Sequence, residues 1–409
     1  MYDIIIIGGG IAGLYSAYKI RKLEPSTKIL VLEANDHLGG RAGNYDFHGE
    51  SIAIGAGVGR KKKDVLLLKL LKELDLPYHD FIANSQYSKT IEPGCKVKEM
   101  FLYLKREYDV EKDKAKTFKQ YARPKLDEKY YKDAYDYFIA CSGYTDYENE
   151  SAYDTLHYYG FDDNYSSWPG MGLSWKQFIG TLALRIGSQQ IRKSCYVKQI
   201  KKLTTYGNSY EIVCDPNSTF LCKRIILATT IESVRKLLLD KQIYKQIKGQ
   251  PFLRMYGKFS KESIPIMAKY CKMTTVVPGP LHKIIPINSE KGIYMIVYTD
   301  NKDAEILKKH KENTSKNREV LCRLLEIALE ITSNSLELED MVDFYWDVGT
   351  HYYTPLKGGY KNRKEFCYYA QKPEENIRVV GEMISMKQGW AEGALESVES
   401  VIDKTWIKN

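Results

Sequence analysis

Close to the start of the sequence stands the run Ile4-Ile5-Ile6-Ile7, and directly afterwards comes Gly8-Gly9-Gly10-Ile11-Ala12-Gly13. A short continuous apolar run predicts a strand that is buried on both faces of a sheet. The glycines match the G-x-G-x-x-G pattern, and the apolar residues that follow, at 14–20, are spaced for one face of a helix. A second apolar run at 28–32 ends at Glu33. The segment therefore predicts a β-α-β unit that binds a dinucleotide.

Each glycine of the pattern has its own physical role. Gly8 permits the tight turn, Gly10 lets the backbone approach a pyrophosphate, and Gly13 lets the helix pack closely against the strand. Ile11 and Ala12 begin the helix, whose free N–H groups and partial positive charge attract phosphates. We therefore expect this turn to hold the pyrophosphate.

Glu33, with Ala34 beside it, is placed to meet the ribose of the same nucleotide. A carboxylate at the end of the second strand accepts hydrogen bonds from ribose hydroxyls and disfavours a 2′-phosphate, so NADP is a poor candidate. A glycine turn that served the fold alone would leave this acid unexplained. The strand, the helix and the acid together favour a dinucleotide site.

The composition is that of an ordinary globular protein. The length of 409 residues suggests two domains. Hydrophobic residues make up 44% and charged residues 28%, as in ordinary soluble globular proteins. The net charge of +9 comes from 61 basic and 52 acidic residues. This mild excess is scattered, so a Lys-rich solvated surface explains it better than a nucleic-acid footprint, and we expect no nucleic-acid partner.

Cysteine usage and hydropathy bear on location. The eight cysteines include no C-x-x-C pair, which argues against a disulfide framework or zinc site and fits a reducing compartment. We see neither a signal peptide nor an apolar stretch of membrane-spanning length, so we expect a soluble, cytoplasmic protein. The usage rich in Lys, Ile and Tyr is typical of AT-rich genomes, such as those of parasites and large viruses.

A second glycine turn, Leu38-Gly39-Gly40-Arg41, follows the ribose acid closely. An Arg beside a Gly-Gly turn suits a contact with pyrophosphate or with the edge of a flavin. Here the chain resembles the flavin-containing amine oxidases, the family of monoamine and polyamine oxidases, related to protoporphyrinogen oxidase and the carotenoid desaturases. The resemblance implies FAD as the cofactor, with Gly40 and Arg41 in contact with it.

The resemblance recurs along the chain. Ser51–Val58 resembles the strand and turn that pass near the flavin, although Ala53 stands where relatives often carry an acid. Pro169-Gly170-Met171-Gly172 resembles the turn into the second half of the FAD site, and the segment 225–229 resembles the strand that closes this half. The cofactor contacts that these segments imply fall on Gly57, Val58, Ala228 and Thr229. Separately, Val197 resembles the strand residue whose backbone meets the adenine of FAD.

The last segment carries the most specific similarity. Val380-Gly381-Glu382 followed by Gly389-Trp390-Ala391-Glu392-Gly393-Ala394 closely resembles the final FAD motif of the family. The resemblance places Gly381 and Glu382 at the pyrophosphate and ribityl chain. It places the helix that starts near Ala391, and with it Trp390 and Glu392, at the flavin. A helix N-terminus there would stabilise the negative charge of a reduced flavin.

The resemblance also implies where the chemistry occurs. Trp390 matches one of two aromatic residues that frame the substrate nitrogen, and His351 or Tyr352 is the best candidate for the second. Arg254 or Met255 falls at the position where many relatives carry a Lys near flavin N5. Thr350 or a neighbour stands where monoamine oxidases attach FAD to a Cys, so we expect FAD bound non-covalently. No pattern indicates a metal site.

The predicted fold class is α/β: a Rossmann-like FAD-binding domain of the glutathione-reductase and amine-oxidase type, interleaved with an α+β substrate domain that contains a mixed sheet and helices. The FAD-binding domain is predicted over 1–60, 168–240 and 345–409, and the substrate domain over 61–167 and 241–344.

Three functional hypotheses follow. The leading one is an enzyme that oxidises a polyamine or a monoamine by hydride transfer to flavin N5, with O2 as acceptor and H2O2 as product. The second keeps the fold but acts as a desaturase or a porphyrinogen-type oxidase, because the Lys expected near flavin N5 is absent. The third is a flavoprotein with a mainly binding or structural role, which the unmatched Tyr- and Lys-rich segment 100–160 suggests.

Overall fold

The computed structural model describes residues 1–91, 96–203, 209–215, 218–239 and 241–408. The strands are β1 Tyr2–Ile7, β2 Ile29–Leu32, β3 Asn44–Phe47, β4 Glu50–Ala53, β5 Gly59–Arg60, β6 Tyr78–Ala83, β7 Ser85–Tyr87, β8 Trp168–Leu173, β9 Ile191–Arg192, β10 Tyr196–Leu203, β11 Ser209–Asp215, β12 Ser218–Leu227, β13 Ile247–Phe259, β14 Thr274–Val276, β15 Lys283–Asn288, β16 Ile293–Asp300, β17 Leu338–Tyr353 and β18 Ile377–Val379.

The α-helices are α1 Ile11–Leu23, α2 Val65–Glu73, α3 Val97–Arg106, α4 Val110–Asp113, α5 Phe118–Lys129, α6 Ala134–Ser142, α7 Ala152–His157, α8 Trp175–Ile186, α9 Ile231–Leu237, α10 Ile264–Tyr270, α11 Asn301–Leu307, α12 Ser315–Leu329, α13 Arg363–Ala370, α14 Ala391–Glu399 and α15 Lys404–Lys408. Short 3₁₀ helices lie at Phe161–Asn164, Ser188–Gln190, Gln242–Gln246, Lys308–His310 and Glu382–Ile384.

The first sheet contains the predicted nucleotide-binding unit. Its order is β10-β11-β12-β1-β2-β9, and β18 pairs with the second half of β12. Strand β1 runs parallel to both β2 and β12, so the carboxyl ends of all three strands meet at one edge. The predicted α/β Rossmann-like architecture is confirmed.

The four isoleucines of β1 explain why this strand lies in the centre. Side chains alternate between the two faces of a strand. Ile4 and Ile6 pack into one core with helices α1, α8 and α14, and Ile5 and Ile7 pack into the core on the opposite face with β11 and α13. None of the four is more than 4% exposed. A strand that is apolar on both faces can lie only between two such layers.

The second sheet has the order β17-β13-β16-β15-β14-β7, and its strands pack into a hydrophobic core separate from those of the first sheet. Strands β13 and β17 are long and antiparallel, from the pair Ile247↔Tyr353 to the pair Phe259↔Leu338. Helix α12 packs against this sheet, and helices α3 to α7 form a separate aromatic-rich cluster beside it. The strands of the two sheets alternate along the chain, as the predicted interleaving requires. The domain boundaries themselves stay a prediction, and α2, placed in the substrate domain from sequence, packs in the same core as α1.

Two local expectations differ from the structure. Pro169–Gly172, expected to be a turn, lies in strand β8, which pairs with β5 and β6. Of the cysteines in the described ranges, six are free thiols and Cys141 is disulfide-bonded, a bridge that the cysteine spacing did not predict. Among the described helices, none has the length and apolar character needed to span a membrane.

Candidate functional site

The glycine turn after β1 has the close packing that its pattern predicts. Gly8 has φ +111°, and a Cβ there would lie 2.3 Å from the carbonyl oxygen of Ala228. A Cβ on Gly13 would lie 1.9 Å from the carbonyl oxygen of Gly8. Helix α1, with Ile11 and Ala12 in its first turn, starts after Gly10, which has no side chain to cap the helix. Its first N–H groups are therefore available to an anion.

Glu33 lies at the carboxyl end of β2 and is 7% exposed. Its Oε2 accepts from the N–H of Gly9 at 2.7 Å, and its Oε1 accepts from the N–H of Asn35 at 2.9 Å. The carboxylate is thus fixed beside the glycine turn, with Ala34 exposed next to it. The Cys195 N–H donates to the Glu33 carbonyl at 2.8 Å, which brings Val197, two residues further on, to the same end of the sheet.

The second glycine turn faces the first. The Gly39 N–H donates to the Gly9 carbonyl at 2.9 Å. A Cβ on Gly40 would meet nothing closer than the Gly10 Cα at 3.7 Å, and a Cβ on Gly10 nothing closer than the Gly39 carbonyl oxygen at 3.8 Å. The two turns therefore border open space that side chains would otherwise fill. Ala228 and Thr229, which follow β12, pack against Gly8, with the Thr229 Cγ2 3.4 Å from a Cβ on Gly8.

The half-buried Arg41 and the buried His351 and Glu382 form one cluster. Arg41 Nη1 donates to Glu382 Oε1 at 2.7 Å and to the Gly349 carbonyl at 2.9 Å. His351 Nδ1 contacts the same carboxylate oxygen, and the Gly389 N–H donates to Glu382 Oε2 at 2.8 Å. Burial alone would raise the pKa of Glu382, but His351 and Arg41 outweigh it and lower that pKa to about 2.

His351 is fully engaged in this cluster. Its Nε2 accepts from the N–H of Ile231 at 3.3 Å, which assigns the proton to Nδ1, facing Glu382. The ring is 3% exposed. Of the two residues considered for the second aromatic position, the structure therefore leaves Tyr352 with the more accessible ring.

Arg254, one of the two residues considered for the position near flavin N5, lies beside Gly57. Its Nη1 and Nη2 are each 3.4 Å from a Cβ on Gly57, and Nη2 donates to the Tyr298 hydroxyl at 3.2 Å. Arg254 is 5% exposed, and its Nε has no hydrogen-bond partner among the described residues. A buried, unpaired donor beside a glycine and the half-buried Val58 fits an acceptor supplied by a ligand.

Trp390 precedes helix α14 and is half-buried. The guanidinium of Arg60 lies 3.6 Å from the centroid of its ring, and Trp168 packs edge-on at 6.4 Å. Arg60 is itself held by Asp64 at 2.7 Å and by Asp163 at 3.5 Å. One face of the predicted substrate aromatic is thus covered by a cation, a feature that no sequence motif indicated.

The remaining C-terminal residues divide between backbone and side-chain roles. The Gly381 N–H donates to Ser397 Oγ at 2.8 Å, and a Cβ on Gly381 would meet nothing closer than 3.7 Å. Ala391 begins α14, which has no side-chain cap from Trp390. The Glu392 carboxylate points elsewhere, because it accepts from the N–H groups of Leu66 and Leu67, each at 2.9 Å, and so caps helix α2.

Tyr352 lines a cavity that sequence reasoning missed. The cavity is bordered by three carboxylates on the segment 146–154, by Gln250 on β13 and by Gly389. The acids are Asp146, Glu150 and Asp154. They lie 96 to 104 residues before Gln250 in the chain, and no local pattern could have joined them.

Comparisons with known proteins agree with this architecture. Residues 6–74 match the family model described as an NAD(P)-binding Rossmann-like domain. The chain is 37% identical over 76 residues to an uncharacterized protein of Acanthamoeba polyphaga mimivirus, a stretch covering 18% of this chain and 15% of that protein. It is 38% identical over 90 residues to amine oxidase [flavin-containing] A of Equus caballus, covering 21% and 16%.

A third relative is coproporphyrinogen III oxidase of Staphylococcus aureus, 32% identical over 85 residues, covering 20% of this chain and 17% of that enzyme. The matched stretches thus span about a sixth of the length of these relatives. A solved structure of wild-type putrescine oxidase bound to putrescine aligns over 97% of both chains, with a TM-score of 0.75 and 15% identity.

Proposed function

We propose that this chain, which has the fold of putrescine oxidase and resembles the flavin-containing amine oxidases, is an FAD-dependent oxidoreductase that oxidises an amine, with O2 as the electron acceptor. The observation that carries the proposal is the open space between two glycine turns, which lies at an uncapped helix N-terminus and beside the fixed carboxylate of Glu33. The unpaired Nε of Arg254 beside Gly57 supports it.

The residues around this space fit the parts of FAD. The first N–H groups of α1 and the guanidinium of Arg41 would hold the pyrophosphate, and Glu33 would accept from the ribose. Val197 would border the adenine. Gly57 and Arg254 would border the flavin ring, and the uncapped N-terminus of α14 would face it.

The chemistry that bound FAD would supply is acceptance of a hydride equivalent at flavin N5 and reoxidation by O2 to give H2O2. The protein would hold the amine in line with that atom, between Trp390 and Tyr352, and would exclude water. Arg254 supplies a charge that cannot be lost at ordinary pH, and it would stabilise negative charge at the ring. Glu382, ionised at all ordinary pH values, would hold Arg41 in place.

We also propose that the FAD is bound non-covalently. Position 350 is Thr, and Cys367 is 6% exposed with its thiol against the Tyr353 hydroxyl at 3.2 Å. Burial raises the pKa of the Cys367 thiol to about 11, so the thiolate that a covalent bond to flavin requires is disfavoured.

The test is the visible spectrum of the purified protein under argon, with amines added one class at a time. We expect a yellow protein that bleaches with an amine, forms H2O2 when air is admitted, and releases all its colour on acid precipitation. A protein that stays colourless after incubation with FAD would contradict the cofactor, and a yellow protein that no amine bleaches would contradict the reaction.

A second candidate, oxidation of a porphyrinogen-type substrate, has one observation in its favour. Arg60 places a buried cation on the face of Trp390, where a protonated amine would be repelled and a substrate carboxylate attracted. Asp64 and Asp163 offset much of this charge, so the amine remains the first choice. Bleaching by a porphyrinogen and by no amine would reverse the order.

A further inference from the structure

The cavity lined by Tyr352 contains more acid than its neighbours use. Asp154 is fully committed to Arg363, which donates to it at 2.7 and 3.1 Å. Among the described residues, Asp146 and Glu150 each accept one side-chain hydrogen bond, from the Tyr159 hydroxyl at 2.5 Å and from Thr155 Oγ1 at 2.7 Å, respectively. Two carboxylates therefore keep acceptor capacity directed at the cavity.

Gln250 gives an independent sign of a missing donor. It is 4% exposed, and its Nε2 donates to the Asp146 carbonyl at 2.8 Å and to Thr350 Oγ1 at 3.0 Å. Its Oε1 is buried without a hydrogen-bond partner among the described residues. Since a buried acceptor is normally paired, this oxygen at the cavity wall indicates a donor brought by a ligand.

The cavity fits one chemical group. Its volume is about 30 Å³, enough for a head group about as large as one or two waters. An ammonium has three N–H donors, and the cavity offers two carboxylates and one amide oxygen. The half-buried Tyr352 ring adds an aromatic surface that attracts cations.

The cavity is also at a useful distance from the predicted reaction centre. Gln250 and Arg254 lie four residues apart on β13, which corresponds to roughly 13 Å along an extended strand. An alkyl chain of several carbons spans that length. Tyr352, one of the two predicted substrate aromatics, lines the cavity, and so does Gly389, the residue before Trp390, so a single extended molecule could reach from the cavity to the predicted reaction centre.

We propose that this cavity binds the second, distal ammonium group of the substrate, and that the site therefore takes diamines and polyamines in preference to monoamines. The identity of the reacting end rests on the proposed amine oxidation. The cavity itself stands on Asp146, Glu150 and Gln250.

Proton release accompanies such binding. Burial raises the pKa of Asp146 to about 7, with the nearby Asp300 adding to it, and burial followed by Asp154 raises that of Glu150 well above its ordinary value. The charged and titratable groups that face the two acids are Asp154, Tyr159, Lys283, Asp300 and Arg363. A bound cation favours the ionised acids, so binding of a diamine releases protons and tightens as the pH rises through 7.

The test is titration calorimetry on the holoprotein under argon with dithionite present, so that no oxidation contributes heat. The probes are octane-1,8-diamine and the matched monoamine octylamine. We expect the diamine to bind about 10-fold more tightly, with a binding heat that depends on the buffer because protons are released. Equal affinities for the two probes would overturn the proposal.

Variants localise the effect. Glu150→Gln and Asp146→Asn keep the size of the side chain, and each is expected to bring the diamine to within about 3-fold of octylamine without changing octylamine binding. Glu128→Gln, an exposed acid on α5 with the same change of charge, is the matched control and keeps the preference. Equal weakening of both probes in the two cavity variants would also overturn the proposal.

The two proposals fail in different ways. A diamine that binds tightly but never bleaches the flavin leaves the cavity standing and removes the oxidation. Bleaching by monoamines and diamines with equal affinity leaves the oxidation standing and removes the cavity.

Discussion

Two regions present polar groups in opposite ways: the glycine edge, formed by the turns 8–13 and 38–41 at the carboxyl ends of β1 and β2, and the acidic cavity lined by Asp146, Glu150 and Gln250. At the glycine edge, most of the polar atoms belong to the backbone, and side chains are absent so that a ligand can approach. In the cavity, side chains from distant segments supply the polarity, and two of its acids, Asp146 and Glu150, have pKa values raised by burial. Residues that are adjacent in the sequence form the first kind of site, whereas the second exists only after the chain has folded.

This difference predicts that the stability of the cavity region depends on the pairing of its buried charges. Arg363→Met leaves the Asp154 carboxylate buried without its partner, so we expect a loss of about 3–5 kcal/mol in the free energy of unfolding, measured by urea denaturation. Lys364→Met, an exposed neighbour on α13, is the control and should change stability by less than about 0.5 kcal/mol. A similar small loss in both variants would show that the pair is not what holds this region.

Glu382 links the two regions and should make the protein sensitive to acid. Its pKa in the folded state is lowered to about 2, so its stabilisation is complete above its ordinary pKa of 4.5 and is lost as the pH falls from there through 2. The amount is about 3 kcal/mol. Glu382→Gln should flatten the dependence of unfolding free energy on pH in this range. Parallel curves for the two proteins would contradict the pKa.

Substitution in the glycine edge should act through shape and not through charge. Gly13→Ala places a Cβ 1.9 Å from the Gly8 carbonyl oxygen, which should cost about 2 kcal/mol and abolish flavin binding. Gly180→Ala on α8 meets open space and should instead gain up to about 1 kcal/mol while the flavin is retained. Flavin content and melting temperature of the two variants provide the measurement; retention of flavin in both would argue against the assigned turn.

The smallest expected effect separates a side-chain role from a backbone role. Glu392→Gln keeps an oxygen acceptor for only one of the Leu66 and Leu67 N–H groups, so we expect a loss of about 1 kcal/mol and an unchanged flavin spectrum. Loss of flavin in this variant would mean that the carboxylate itself contacts the cofactor.

The motif residues were predictable because each motif is local. Gly8, Gly13 and Glu33 act within one β-α-β unit, and the spacing of a turn, a helix and a strand is set by backbone geometry over about 30 residues. The α/β fold and the resemblance to flavin-containing amine oxidases followed from such stretches and were confirmed. The roles of individual site residues stay predictions.

Only the tertiary structure showed that Arg60 covers Trp390, that Glu392 caps α2, and that Asp146, Glu150 and Gln250 share a cavity. The residues themselves determined the dinucleotide edge, because a buried strand, a glycine turn and an acid constrain one another through neighbouring backbone atoms. They could not determine the cavity, because its polarity arises where the segment 146–154, β13 and β17 pack together. Long-range packing decides which charges lose their water and which find a partner.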